Sequence, residues 1–275
     1  MTANPWTELP VRAVALDIDG TLARSDHQVS HRSVLAVRRL AQLGVAPILV
    51  TGRTEQAALG LSDRIGLDSP VISCNGALVT EPTGRTRIVC STLTETQVHR
   101  SLEFAREAGL DAVVWTPDHM LAERRSAGTD LLEDVNQERV LIGPIDQSRF
   151  SQTVKVMLSA PQETLDRIAP RVRQELPFMQ RSMSRFFESS NPGATKKEAL
   201  RLVLGRLGIP ASLCLGLADG DTDADWLAEI GTAVAVSNAM ESVQAIADVR
   251  IGHHDDDAVA EFLELGIRWL EGKPR

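Results

Sequence analysis

Short, mostly apolar runs alternate with amphipathic stretches over the first 80 residues of the chain. Runs of this kind are typical of strands that are buried in a parallel sheet. Between them, apolar side chains recur every three or four residues, as in helices that pack one face on such a sheet. The pattern predicts β-α-β-α-β, with strands at residues 11–16, 45–50 and 71–74 and helices from Ser30 or His31 to Leu43 and over residues 54–65.

The pattern changes between residues 81 and 190. Strand-like segments there follow one another as in hairpins, with two helix-like stretches between them, which is an α+β pattern. After Gly193 the alternation of helix and strand resumes. The expected fold is therefore α/β, with a Rossmann-like, doubly wound parallel sheet as the core and an inserted α+β domain. The expected division assigns residues 1–80 and 191–275 to the core and residues 81–190 to the insert.

Charge and cysteine content narrow the functional classes. The chain has 29 basic and 37 acidic residues, a net charge of −8, which disfavours nucleic acid and anionic membranes as partners. Cys74, Cys90 and Cys214 are too widely separated to form a disulfide framework or a CxxC motif, which fits a reducing cytoplasm. The first ten residues also do not resemble a signal peptide. We therefore expect a cytoplasmic protein, and the oligomeric state stays open.

The strongest chemical signal is the hydrophobic-DxDGT string at residues 16–22. Asp17 and Asp19 come directly after the first predicted strand, and ligands of open α/β sheets bind at that end of the strands. Negative charge collected in a site that excludes water requires a cation, and Mg²⁺ prefers such oxygen ligands. One carboxylate could attack phosphorus, and the other could deliver a proton to the leaving oxygen.

This string resembles the first motif of the haloacid dehalogenase (HAD) superfamily, and three further segments match the family's motifs in order. The second match is Thr51-Gly52-Arg53, which follows the second predicted strand. In the family, this motif places a hydroxyl group on the phosphoryl group. The resemblance implies that Thr51, Gly52 and Arg53 bind the substrate and that Thr51 also takes part in catalysis.

The third match is Lys196, in a segment at residues 192–200 that is similar to the third motif of the Cof-like branch of the family. The family's lysine neutralises the phosphoryl oxygens and the nucleophilic carboxylate. Lys197 replaces a glycine of that motif, so two neighbouring lysines compete for the role. We expect Lys196 to be the catalytic and substrate-binding lysine.

The fourth match follows the strand predicted at residues 212–217. Asp219 and Asp223 correspond to the two acids that complete the family's metal site with Asp17. Their spacing places both near the start of one helix and on the same face. Thr222 stands where the family has asparagine, which puts in doubt the polar contacts that an amide would make near the metal.

Two weaker matches add Asn75 and Asn238 as candidate substrate-binding residues. Each lies in a turn that resembles a family turn, and a helix N-cap is the alternative role for Asn238. The run at residues 253–257, His-His-Asp-Asp-Asp, has the composition of a zinc-binding or acidic binding segment. Because it aligns with a loop of the family, we predict a solvated loop and helix start there.

The resemblance implies a complete reaction cycle. Mg²⁺ would be held by Asp17, the main-chain carbonyl of Asp19 and Asp219, with Asp223 in support. Asp17 would attack a phosphate monoester, and Asp19 would protonate the leaving group and then activate water. The insert would be a C2-type cap, as in Cof-like class IIB phosphatases, that closes over the site.

The leading hypothesis is thus a phosphatase of small phosphate esters, such as sugar phosphates or phosphorylated cofactors. A phosphosugar mutase and a non-catalytic phosphometabolite-binding protein are the alternatives. The cap sequence has no motif that identifies the substrate. Four arginines of the cap could bind an anionic leaving group, but they could equally be ordinary surface residues: Arg124, Arg125, Arg181 and Arg185.

Overall fold

The computed structural model describes residues 5–8 and 10–272 of the chain. Within these residues the strands are β1 (Ala13–Leu16), β2 (Ala46–Leu49), β3 (Val71–Ser73), β4 (Leu78–Glu81), β5 (Thr86–Cys90), β6 (Asp111–Trp115), β7 (Met120–Ala122), β8 (Val140–Ile142), β9 (Lys155–Ser159), β10 (Met179–Met183), β11 (Phe186–Ser190), β12 (Cys214–Ala218), β13 (Thr232–Ala235) and β14 (Val249–Arg250). The helices are α1 (Pro5–Glu8), α2 (His31–Gln42), α3 (Glu55–Ile65), α4 (Glu95–Ala108), α5 (Ala127–Asn136), α6 (Gln162–Glu175), α7 (Lys196–Leu207), α8 (Ala224–Leu227), α9 (Glu241–Ile246) and α10 (Ala258–Gly272).

The core sheet consists of five parallel strands in the order β14-β13-β12-β1-β2. Successive side chains of a strand point to opposite faces, so the sheet has two apolar faces to cover. Val14 and Leu16 pack on one face with α2, α3 and α10, whereas Ala13 and Ala15 pack on the other with α7, α8 and α9. Helices on both faces of a parallel sheet confirm the predicted doubly wound α/β fold.

The parallel order brings distant parts of the chain to one edge of the core sheet. β1 lies between β2 and β12, so the residues that follow these three strands meet at their carboxyl ends. The main-chain amide of Asp17 extends the pairing by donating to Leu217, and that of Thr51 donates to Ile72 at the start of the β3–β4–β5 sheet. Three of the predicted motifs therefore begin within a few ångströms of one another.

The cap sheet is the six-stranded sheet β10-β11-β9-β6-β7-β8, which is mostly antiparallel. α4 and α6 pack on one of its faces. The other face packs with α5 and with apolar residues next to the core sheet, among them Ala77 and Ala194. The hairpin β4–β5 pairs with β3, so the expected boundary after residue 80 falls inside β4, and the division into core and cap stays a prediction.

Two segments differ from the sequence-based expectation. Residues 116–143 were not assigned from sequence, and they form β7, α5 and β8. The helix expected to begin near Asp219 and Asp223 is instead a 3-10 turn, Asp221–Asp223, followed by the short α8. Beyond α8, the main-chain amide of Gly231 donates to the carbonyl oxygens of Ala211 and Cys214, and a Cβ atom on Gly231 would lie 2.0 Å from the carbonyl oxygen of Ser212. Within the described residues, each helix is too short or too polar to cross a membrane.

Candidate active site

Three buried charged side chains meet at the carboxyl end of the core sheet. Asp17 follows β1, Asp223 ends the 3-10 turn after β12, and Lys196 is the first residue of α7; they are between 1% and 5% exposed. Lys196 Nζ donates to Asp17 Oδ1 and to Asp223 Oδ1, over 2.7 Å in each case. Desolvation is the largest effect on Lys196 and lowers its pKa, but the attraction of both carboxylates raises the pKa above its usual value. The ammonium group therefore stays charged.

Asp219, directly after β12, adds a third carboxylate. Asp17, Asp219 and Asp223 each offer one oxygen atom, and these atoms lie within 4.8 Å of one another. Desolvation, followed by repulsion from Asp223, raises the pKa of Asp219 to about 6. Desolvation also raises the pKa of Asp17 well above its usual range, against the attraction of Lys196. Three carboxylates around one ammonium leave an excess of negative charge, which a divalent cation would relieve.

The donor set of this carboxylate cluster suits a hard divalent cation, because all its ligand atoms are oxygens. Gly20 makes the arrangement possible. Its φ is 77°, and a Cβ atom there would lie 2.2 Å from Asp219 Oδ2. Thr21 donates to Asp219 Oδ1 over 3.2 Å and so orients the carboxylate. The residues present therefore fit a divalent metal ion.

Asp19 is held by a bidentate ion pair. Arg53 donates from Nε to Asp19 Oδ2 over 2.9 Å and from Nη2 to Asp19 Oδ1 over 2.7 Å. The His27 ring lies on the same carboxylate, with Nδ1 at 3.7 Å from Oδ1. Desolvation is the largest effect and raises the pKa of Asp19, but the bonds from His27 and Arg53 together lower it below its usual value. The guanidinium of Arg53, predicted to bind substrate, is thus bound to Asp19.

Gly52 and Asn75 form the neighbouring wall of the site, whereas Thr51, just before Gly52, does not line it. Thr51 is fully buried, and its Oγ1 accepts from the amide of Arg53 over 3.1 Å. Asn75 adopts the left-handed conformation, with φ at 57°, in the turn after β3. A Cβ atom on Gly52 would lie 2.8 Å from Asn75 Oδ1, so the glycine lets the amide lie close to the main chain.

A cleft of about 360 Å³ separates these residues from the cap sheet. Asp17, Asp19 and Lys196 line it on the core side, and Lys155 and Glu188 line it on the cap side. Lys155 is 1% exposed, although it stands in an otherwise apolar strand. Its Nζ lies 3.3 Å from Glu188 Oε2 and 3.2 Å from the carbonyl oxygen of Gly52.

Contacts across this cleft connect the cap sheet to the loops that follow β2 and β3. Asn75 Nδ2 donates to Glu188 Oε1 over 2.8 Å, and Lys155 reaches the carbonyl of Gly52. The ammonium of Lys155 also lies 4.7 Å above the ring of Trp115, at cation–π distance. The cap side of the cleft thus has one base, one acid and one indole ring.

Other candidates lie away from the cleft. Lys197 pairs with Glu229 over 2.7 Å, so the second of the two neighbouring lysines points outward. Asn238 Nδ2 donates to the carbonyl of Gly20 over 2.7 Å, and its Oδ1 accepts from the amide of His254. Three of the cap arginines are in ion pairs at the surface: Arg124 with Asp111, Arg125 with Asp130 and Glu133, and Arg181 with Asp166.

Sequence reasoning missed several side chains of this region. His27 and Trp226 contact Asp19 and Asp223, respectively, and Trp226 Nε1 donates to Asp223 Oδ1 over 2.7 Å. Neither residue belongs to a motif. Lys155 did have a sequence signal, since a lysine between apolar residues such as Val154 and Val156 is costly to bury unless it is paired. The chain has few lysines, and two of them line the cleft.

Comparisons with known proteins agree with this architecture. A family model described as haloacid dehalogenase-like hydrolase matches residues 14–263. Phosphatase YwpJ of Bacillus subtilis is 24% identical, over 92% of this chain and 99% of its own length. Pyridoxal phosphate phosphatase YbhA of Escherichia coli is 23% identical, over 93% of this chain and 98% of its own.

Solved structures show the same fold. A haloacid dehalogenase-like hydrolase from Bacteroides thetaiotaomicron superimposes with a TM-score of 0.85 at 21% identity, covering 93% of this chain and 99% of that one. A sugar phosphatase of HAD subclass IIB gives 0.79 at 21% identity, covering 94% of this chain and all of the other. These likenesses concern the fold, and they span more than nine tenths of this chain.

Proposed function

This chain belongs to the haloacid dehalogenase-like hydrolase family, and on that premise we propose that it is a Mg²⁺-dependent phosphatase of small phosphate monoesters. The observation that carries the proposal is the position of the Lys196 ammonium, 2.7 Å from both Asp17 and Asp223, on the floor of the cleft. A buried nucleophile, a fixed positive charge and an acidic metal cluster are what phosphoryl transfer requires.

In the proposed reaction, Asp17 attacks the phosphorus atom of the bound ester. The bond from phosphorus to the leaving oxygen breaks as the bond to Asp17 forms, which gives an aspartyl-phosphate. Lys196 and Thr51 hold the oxygens of the transferred group. Mg²⁺, bound by Asp17, Asp219, Asp223 and the Asp19 carbonyl, would neutralise charge that develops on the phosphoryl oxygens.

Asp19 acts as the general acid in the first half of this cycle and as the general base in the second. It gives a proton to the leaving oxygen and then accepts one from the water that attacks the aspartyl-phosphate. Its carboxylate lies between the cleft and the pair formed by Arg53 and His27. We assign to Arg53 and His27 the task of holding Asp19 toward the leaving group.

The cap, which we assign to the inserted residues that carry the cap sheet, would contact the leaving group. Relatives named for pyridoxal phosphate and a structural neighbour named as a sugar phosphatase support small organic phosphates as substrates. Lys155 and Glu188 offer that leaving group one hydrogen-bond donor and one acceptor, with no net charge.

The test is phosphate release by the Asp17→Asn variant, with p-nitrophenyl phosphate and then a panel of sugar phosphates and phosphorylated cofactors, each with Mg²⁺. We expect the variant to lose at least about a thousandfold in kcat, because the amide is not a nucleophile. Asp63→Asn is the matched control, since Asp63 is an exposed carboxylate paired with Arg85. Turnover by Asp17→Asn at the parent rate would overturn the proposal. Isomerised substrate without released phosphate would indicate a mutase, and binding without turnover would indicate a sensor.

A further inference from the structure

A second cluster of metal-binding side chains lies outside the cleft, in the loop before α10. His253, His254 and Asp255 each offer one ligand atom, and the three atoms lie within 4.8 Å of one another. Asp255 Oδ2 is 3.7 Å from His253 Nδ1 and 3.9 Å from His254 Nε2. Unlike the carboxylate cluster, this cluster combines two imidazoles with one carboxylate.

The hydrogen bonds of the two rings indicate where their lone pairs lie. His254 Nδ1 is 2.8 Å from the carbonyl oxygen of Ala23, which can only accept, so Nδ1 carries the hydrogen and Nε2 keeps a lone pair. His253 Nδ1 accepts from the amide of Asp255 over 3.2 Å, so its lone pair is engaged in a hydrogen bond that a metal ion would have to replace. One ring nitrogen of each histidine and one oxygen of Asp255 lie within 4.8 Å of one another.

The distances suit a tetrahedral transition-metal site. With Zn²⁺ at about 2.0–2.1 Å from each ligand, the edges of a tetrahedron are roughly 3.4 Å. The two edges from Asp255 Oδ2 are 3.7 Å and 3.9 Å, so a shift of about half an ångström or less along each would bring them to that length, and the two imidazole nitrogens, within 4.8 Å of each other, would also have to approach. Imidazole nitrogens favour Zn²⁺ over Mg²⁺, which prefers oxygen ligands only.

Neighbouring groups already orient two of these ligands. The carbonyl of Ala23 fixes the ring of His254, and Ser25 donates to Asp255 from its amide over 2.7 Å and from its hydroxyl over 2.8 Å. Such outer hydrogen bonds are a regular feature of protein metal sites, where they fix ring orientation and ligand basicity. His254 is also nearly buried, with 9% of its side chain exposed, whereas His253 and Asp255 are open to solvent.

We propose that His253, His254 and Asp255 form a Zn²⁺ site that is separate from the catalytic cluster, with its fourth position open to water. The bound ion would hold His254 and Asp255 in place, and these two residues already bond to Ala23 and Ser25, which follow the DxDGT loop. The ion pair between Arg24 and Asp257 already joins the same two segments, over 2.7 Å. Zn²⁺ binding should therefore raise the unfolding temperature.

The experiment measures Zn²⁺ binding by equilibrium dialysis or calorimetry, with the affinity tag removed and with saturating Mg²⁺ to occupy the carboxylate cluster. The parent protein and Asp219→Asn should each bind one Zn²⁺ per chain. His253→Ala and Asp255→Asn should each bind it at least tenfold more weakly. His99→Ala, a surface histidine paired with Glu103, is the matched control and should bind as the parent does.

A second measurement identifies the ligands. Co²⁺ in place of Zn²⁺ should give the intense visible absorption of a tetrahedral ion with nitrogen ligands, and His253→Ala should lose it. Circular dichroism of each variant shows that it is folded. Undiminished Zn²⁺ binding in both His253→Ala and Asp255→Asn, or loss of binding in Asp219→Asn alone, would overturn the proposal. So would the absence of Zn²⁺ binding to the parent in the presence of Mg²⁺.

Discussion

The two walls of the cleft differ in how their charges are balanced. The core wall gathers Asp17, Asp219 and Asp223 around one ammonium group, so negative charge is in excess. On the cap wall, Lys155 is matched by Glu188, and an indole ring lies beside them. We therefore expect the core wall, with its excess of negative charge, to bind the cation and the phosphoryl group. The cap wall, where the charges of Lys155 and Glu188 balance, should contact the neutral or mixed-charge part of the substrate.

The largest effect on this comparison should come from removing the positive charge that lies among the carboxylates of the core wall. We expect Lys196→Met to lower kcat by about 10²–10³-fold, the usual cost of losing one preorganised electrostatic contact. Lys197→Met is the matched control, because Lys197 pairs with Glu229 outside the cleft, and it should stay within about twofold of the parent. Steady-state kinetics measures both. Equal losses in the two variants would show that Lys196 has no special role.

The next largest effect should follow from reducing the negative charge of the core wall. Asp219→Asn keeps the shape of the side chain but removes one anionic ligand, so we expect the Mg²⁺ concentration for half-maximal activity to rise about 10–100-fold. Asp221→Asn is the control, since Asp221 accepts from Ser242 at the surface. If both variants have the Mg²⁺ dependence of the parent, Asp219 does not bind the ion.

Changes to the cap wall should act on substrate binding more than on the chemical step. Lys155→Met should raise KM for the best natural substrate about tenfold, because a charged hydrogen bond contributes roughly 1.5–3 kcal/mol. The effect should be smaller with p-nitrophenyl phosphate, whose leaving group is less polar. Arg124→Met, a cap residue in a surface ion pair with Asp111, is the control. A decrease in kcat with no change in KM would indicate that Lys155 acts in the chemical step instead of in substrate binding.

The smallest expected effect concerns stability. Trp226→Phe removes the hydrogen bond to Asp223, whereas the Nε1 of Trp115 has no hydrogen-bond partner among the described residues. Both indoles are almost completely buried, so the two replacements by phenylalanine create similar cavities. We expect Trp226→Phe to lower the free energy of unfolding by about 1 kcal/mol more than Trp115→Phe, measured by urea denaturation. Equal losses would mean that the bond to Asp223 adds no net stability.

Part of the core wall could be predicted from the residue pattern, because Asp17 and Asp219 directly follow strands. A carboxylate after a buried run is a local pattern, and parallel pairing brings such ends together by rule. Asp17 was predicted in this way, whereas the roles of Asp219, Asp223 and Lys196 were expected from the resemblance to family motifs; all four lie in one cluster. The same resemblance favoured Lys196 over Lys197, and the structure places Lys196 in the cleft and pairs Lys197 with Glu229.

The cap wall could not be predicted in the same way. Lys155 and Glu188 stand within antiparallel strands whose register depends on pairing between distant segments. The partnership of Arg53 with Asp19 was also missed, because a side chain that follows a strand can turn toward substrate or toward a neighbouring acid. Only tertiary packing decides between these orientations.

The central position of β1 has a consequence for how the protein is made. One edge of β1 pairs with β2, which starts at Ala46, but the other edge pairs with β12, which starts at Cys214. A ribosome must therefore add nearly 200 further residues, including the whole cap sheet, before that edge is covered. The complete carboxylate cluster thus cannot form before Asp223 has been added, and the growing chain carries an open strand edge until β12 has followed.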